Sequence, residues 1–240
     1  MLKVSSHSIE ILCAKYDIDP GNVCAIMTAM QAWADGEPVP RYADIIHKFG
    51  TAFAGRRLWD FAFDEKSMHK EMLLHTVRYT AIHRFGFVIP SRELLDQLQC
   101  HQPILEVGAG SGYITALMRH RGIDVIGTDA LRQNYGFVFG AYDANQLTMN
   151  ATEAVRRFPD RNVFCAWPTL GSTWLRYALQ AMTVGRRAIL IEESACAEPS
   201  TWQYRDRCFG RESSIDIPIW PGMHDYAATW IKKPCTMRGK

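Results

Sequence analysis

The chain has 240 residues, 48% hydrophobic, 22% charged and 11% aromatic, a composition that excludes disorder and fibrous repeats and supports a sizeable core. Twenty-seven Lys and Arg stand against 25 Asp and Glu for a net charge of +2, so charge gives no reason to make a nucleic-acid backbone the main partner, although it leaves one open. Seven scattered cysteines with no C-x-x-C pair signal neither a disulfide framework nor a zinc site and fit a reducing cytoplasm. Residues 1–19 lack a basic start leading into an apolar run, and no 18 consecutive residues are apolar. The expectation is a protein neither exported nor membrane-spanning.

In chain order, apolar residues at helical spacing (Ile9, Leu12, Cys13, Tyr16, then Val23, Ile26, Met27, Met30 and Trp33) predict two helices broken at Asp19-Pro20-Gly21-Asn22. A turn at residues 35–40 follows, then short helical pieces over 41–63 interrupted by Gly50 and Gly55. Residues 66–85 read as a further helix with the stripe Met68, Met72, Leu73, Val77 and Ile82, ending before Gly86 and Pro90. Ser91 caps a short helix carrying Leu94, Leu95 and Leu98, since its hydroxyl can accept from a free amide three residues on.

From residue 101 the pattern changes to short apolar runs alternating with helices: 103–107, 124–128, 162–166, 187–192, 214–217 and 227–232. Such alternation predicts a parallel sheet covered on both faces, with the last two runs forming an antiparallel hairpin at one edge. Residues 147–150 are the expected remaining strand, and 134–145 a loop.

The most informative segment runs from Ile104 to Met118: an apolar strand, the loop Gly108-Ala109-Gly110-Ser111-Gly112, and an amphipathic helix. Alternate glycines let the chain turn tightly and let a ligand approach backbone without Cβ interference, while the helix start offers unpaired amides. A dinucleotide fingerprint needs glycine at position 113, where Tyr113 stands, so a nicotinamide cofactor is disfavoured. The next strand ends in Asp129, 21 residues after Gly108, where a carboxylate can chelate both ribose hydroxyls or, more plainly, cap the following helix. Gly112 serves either the ligand or close helix packing.

The acid Glu106 followed by glycines at 108, 110 and 112 resembles motif I of the class I S-adenosylmethionine-dependent methyltransferases. The resemblance implies an α/β fold, a seven-stranded, mostly parallel, Rossmann-like sheet with one antiparallel strand, spanning residues 85–240 behind an N-terminal helical extension at 1–84. It implies S-adenosylmethionine as cofactor, held by Glu106, Gly108, Ala109, Gly110, Gly112, Tyr113 and Asp129. The amino-acid tail would lie over the glycine loop and the adenine between the second and third strands.

Phe85 to Pro90, Trp167-Pro168, Glu193, and Trp220-Pro221-Gly222-Met223-His224-Asp225 look like a little-characterised subgroup with W-P-P-Y and W-P-G-x-H-D signatures. Here Thr169 and Leu170 replace that subgroup's second proline and tyrosine. The resemblance puts Trp167, Pro168, Glu193 and His224 on the acceptor side: Trp167 as a π-face wall, Pro168 as a strand stop, and Glu193 as a carboxylate able to orient or deprotonate an acceptor. The competing readings are a core Trp, a helix-capping Glu193 and a structural His224. Adjacent residues on extended chain point oppositely, so His224 and Asp225 are not expected to form a dyad.

The expected activity is metal-independent methyl transfer by in-line displacement to an unidentified acceptor, more readily a small or medium molecule than a duplex. The alternatives are a cofactor-binding but catalytically silent interaction module, and a nucleic-acid or protein methyltransferase.

Overall fold

The computed structural model describes residues 82, 86–88, 90–131, 142–169, 171–193, 198–217, 219 and 223–235. The helices expected over 5–35 and 41–63, the boundary at 84/85 and most of the 66–85 helix lie outside them; of that last stripe Ile82 is described, helical and buried.

The first complete element, α1 (Arg92–Cys100), starts as expected: the Ser91 hydroxyl accepts from the Leu94 amide at 3.1 Å, and Leu94, Leu95 and Leu98 face the interior. The chain then runs β1 (Ile104–Val107), α2 (Tyr113–His120), β2 (Val125–Asp129), β3 (Leu147–Thr148), α3 (Ala151–Arg157), β4 (Asn162–Ala166) and α4 (Trp174–Ala181). It continues through β5 (Arg187–Glu193), α5 (Pro199–Cys208), β6 (Phe209–Ile215) and β7 (Asp225–Lys232).

Seven strands form one sheet in the order β3-β2-β1-β4-β5-β7-β6. All neighbours pair in parallel up to β5, while β7 runs antiparallel to both β5 and β6. This is the mostly parallel arrangement with one reversed strand that the resemblance implies. Chain order leads outward from β1 to β2 and β3, then returns to β4 on its other side, so β1 and β4 flank a topological switch point. Ligand crevices in such sheets open beyond the carboxyl ends of the strands at that point.

The central strands are apolar because both faces are covered. Every residue of β1 is buried, as are Val163, Phe164 and Cys165 of β4 and Ala188 to Glu193 of β5. Helix α2 packs onto β2 at Gly127, where a Cβ would meet the Thr115 side chain, its Cβ and Cγ2 lying within 3.2 Å. Helix α4 ends on a side chain from the sheet: the buried Lys232 ammonium donates to the carbonyls of Leu179 (3.0 Å), Gln180 (2.8 Å) and Met182 (2.6 Å), filling the acceptors a helix end leaves open.

The structure departs from the sequence expectation for the cysteines: Cys208 and Cys235, 27 residues apart, form a disulfide. The reason is the reversed hairpin. Cys208 immediately precedes β6 and Cys235 follows β7, and Lys233 donates its amide to the Cys208 carbonyl at 2.8 Å, so antiparallel pairing brings the two together where spacing in sequence gives no sign of it. Among the described residues no helix is long and apolar enough to cross a membrane.

Candidate functional site

A cavity of about 320 Å³ opens at the carboxyl ends of β1, β2, β3 and β4. One wall is the turn after β1, residues 108–111 with Ile114 of α2; a second is residues 129–131 after β2; a third is 149–151, entering α3. The far side is Ala166, Trp167 and Thr169 after β4, Ser172 and Trp174 at the start of α4, and residues 86–88 ahead of α1.

The glycine turn is stitched to β2 from behind. Ala109 donates its amide to the Thr128 carbonyl at 3.0 Å, and Gly110 donates its amide to Asp129 Oδ2 at 2.9 Å. The other carboxylate oxygen, Oδ1, accepts from the Leu131 amide at 2.8 Å. Two backbone donors thus fix the carboxylate plane, and each oxygen, having two acceptor sites, keeps one for a ligand. Gly108 has φ +72°, and a Cβ there would lie 3.2 Å from Trp174 Cη2. Conformation and space both require glycine, and the indole can then approach the turn.

Glu106 lines the cavity from β1 with 3% of its surface exposed, and one of its oxygens accepts from the Thr115 hydroxyl. Burial pushes its carboxyl up to about 8; the Thr115 hydroxyl opposes the rise, while Asp143 and Asp129 add to it. The carboxyl is therefore a neutral acid around pH 7, with no cation beside it among the described residues.

Trp167 leaves β4 with φ +54°, its amide donating to the Ile191 carbonyl at 2.8 Å. Its ring stacks on Phe87 at 5.1 Å with 10° between the planes. This stack joins the segment preceding α1 to the end of β4 across one side of the cavity.

Of the residues singled out from the sequence, Glu106, Gly108, Ala109, Gly110, Asp129 and Trp167 come together in the lining. Gly112 and Tyr113 do not line it. Gly112, at φ +79°, serves close packing, since a Cβ there would come 2.7 Å from Gln146 Oε1 and 3.1 Å from Asp143 Cβ. Tyr113 is 1% exposed and meets Tyr142 edge-on at 5.1 Å; burial holds its phenol well above the usual range. Pro168 is outside the lining, although its neighbours Trp167 and Thr169 belong to it. Glu193 and His224 are also outside. They face each other at the carboxyl end of β5, His224 Nδ1 being 3.6 Å from Glu193 Oε1, with the histidine side chain 62% and the glutamate 4% exposed. His224 thus stands by Glu193.

Sequence reasoning did not name Trp174, Met149, Asn150, Thr169 or Ser172 as site residues, and treated Phe87 only as part of an approach segment. A signal existed for Asn150: its Oδ1 accepts from the Glu153 amide at 3.0 Å, and the Asn-x-x-Glu spacing marks a helix start and hence the end of the strand before it. Trp174 has no such signal, because its place in the wall depends on α4 beginning beside the glycine turn.

The strand order and the cavity at its switch point are those of the seven-stranded, Rossmann-like methyltransferase fold. No protein-family model and no curated protein matches the sequence. Solved structures similar to the chain include TrmN from Thermus thermophilus, at 15% identity over 58% of this chain and 48% of that one, with a TM-score of 0.38. They also include an rRNA methylase from Streptococcus thermophilus (14% identity, 61% and 99% of the two chains, TM-score 0.39). A third is precorrin-6y C5,15-methyltransferase from Geobacter metallireducens (12% identity, 60% and 92%, TM-score 0.40).

Proposed function

We propose that the chain is an S-adenosylmethionine-dependent methyltransferase acting on a small or medium-sized acceptor. The observation that carries this reading is the Asp129 carboxylate, pinned by the Gly110 amide at 2.9 Å on the rim of a cavity floored by open glycine backbone and the buried acid Glu106. That donor and acceptor set fits the cofactor group by group. Asp129 suits the two ribose hydroxyls, Glu106 suits an ammonium, the turn at 108–111 admits the amino-acid tail, and Ile114 and Met149 offer apolar surface for a purine.

When bound, the cofactor supplies a methyl group already activated on a sulfonium. The task left to this chain is to hold and align, and to exclude water. Trp167, braced by Phe87, presents a π face suited to a cation, and Pro168 holds the chain in its turn away from the sheet. Glu193, paired with His224, is assigned to the acceptor side, where it orients the acceptor or takes its proton.

Isothermal titration with S-adenosylhomocysteine tests the reading. The wild type is expected to bind. Asp129→Ala removes two hydrogen bonds to a charged group and should weaken binding about 100-fold or more, and Gly110→Arg should abolish it. Absence of binding by the wild type rejects the proposal. A second reading, a cofactor-binding but catalytically silent interaction module, is favoured by Thr169 standing where the similar subgroup has proline and by Glu193 and His224 lying outside the cavity lining. Labelled S-adenosylmethionine incubated with fractionated cell extract separates the two: label in a small-molecule fraction supports the enzyme, label in nucleic acid or protein redirects the acceptor, and binding without transfer supports the silent module.

A further inference from the structure

We propose that Thr115 is a positioning residue: its buried hydroxyl clasps one oxygen of Glu106 and keeps the carboxyl turned toward an ammonium group entering the cavity. The inference rests on the S-adenosylmethionine reading, whose amino-acid tail carries that ammonium, and adds to it a residue that does not line the cavity.

The geometry is specific. Thr115 is fully buried in the first turn of α2, and its side chain is wedged against β2 at Gly127, the one residue type there that leaves it room. The hydroxyl has a single hydrogen, and that hydrogen goes to Glu106. The other groups around Glu106 from the packed elements are acids or neutral: Asp129 at the end of β2, Asp143 ahead of β3, and the buried thiol of Cys165 on β4. Arg119 of α2 is taken by Asp143, Nε to Oδ1 at 3.4 Å. Among the described residues, then, a carboxyl facing the cavity is supported in its ionised form by the hydroxyl and the backbone amide of Thr115 and opposed by two carboxylates. Such a group is complementary to a cation brought by the ligand and ionises when that cation arrives. Removing the hydroxyl leaves the carboxyl and the Thr115 amide in place but withdraws the side-chain contact that aims the carboxyl and favours its charge.

The test is calorimetric titration of the full chain with S-adenosylhomocysteine between pH 6 and 8, in two buffers of different ionisation enthalpy. Because Glu106 is raised to about 8, wild-type affinity should climb about tenfold from pH 6 to 7 and about fivefold from pH 7 to 8, and near pH 7 binding should release about one proton. Thr115→Val should weaken binding at pH 7 by about 10- to 100-fold, as for loss of a hydrogen bond to a charged group, and move the levelling-off to higher pH. Thr115→Ser, which keeps the donor, should restore both. Glu106→Gln should give a flat pH curve with no proton release. 5′-Methylthioadenosine, which lacks the tail, should bind wild type and Thr115→Val equally.

Wild-type affinity and pH slope in Thr115→Val overturn the inference alone. A wild type that fails to bind S-adenosylhomocysteine at any pH overturns the proposed function and this inference with it. If Thr115→Val loses its cooperative melt, Thr115→Ala decides in its place by the same two readouts.

Discussion

Trp167 holds a left-handed backbone, φ +54°, that costs a non-glycine residue about 1 to 3 kcal/mol, and it precedes a proline, which ordinarily drives the preceding residue toward extended backbone. What compensates is the stack on Phe87 and the amide bond to Ile191. Trp167→Ala removes the stack and keeps the strain, whereas Trp167→Gly removes both. We therefore expect the glycine variant to be the more stable of the two by about 1 kcal/mol in urea melts, while both lose S-adenosylhomocysteine affinity to a similar degree. The opposite ranking would mean that the backbone at 167 is relaxed. At this scale legibility from sequence followed contiguity. Gly108, Gly110 and Asp129 were readable because a turn and the end of the next strand are local patterns, and parallel pairing of β1 with β2 brings the Asp129 carboxylate to the Gly110 amide. Phe87 and Trp174 reach the same cavity from 80 to 90 and 170 to 180 in sequence, and nothing local to either shows what it will face.

Elements tell the same story through burial. The fourth strand falls on residues 162–166 as expected, because a strand covered on both faces is an uninterrupted apolar run. Strand β6 begins at Phe209, five residues before the run expected at 214–217, because it is the sheet's edge: Arg211, Glu212 and Ser214 are exposed and break the apolar signal. Strand β3 has only two residues, too few for any pattern. The contact of α2 with β2 supplies a prediction at this level. Gly127→Ala introduces a Cβ against Thr115, and overpacking of this kind costs about 1 to 3 kcal/mol, visible as a lowered urea midpoint. If the strain is relieved by displacing the Thr115 side chain, Thr115→Ser in the same background should recover part of the loss.

Over the whole molecule, the buried Glu106 ties stability to pH. Its carboxyl is raised from an ordinary 4.5 to about 8 on folding, so the folded state holds a proton that the unfolded chain releases. The contribution is complete below about pH 4.5 and is lost as pH rises through 8. Thermal melts of the ligand-free protein should show this decline, and Glu106→Gln should be flatter across the same range; a parallel decline in both would place its origin elsewhere. The disulfide between Cys208 and Cys235 closes a 27-residue segment containing both strands of the edge hairpin. By loop-closure entropy its reduction should cost about 3.5 kcal/mol, measured as a shift in the melt with and without reductant. Finally, β7 alone runs against the other strands, and its first residue, Asp225, is paired with Glu193 at the rim where β5 ends. Every other strand delivers its finish to that rim, while β7 delivers its beginning. Under the proposed function, lengthening, shortening or exchanging the connection that feeds it is expected to redraw the acceptor's entrance while the proposed nucleoside cradle, at the opposite half of the sheet, stays untouched: a splice point for engineering new selectivity.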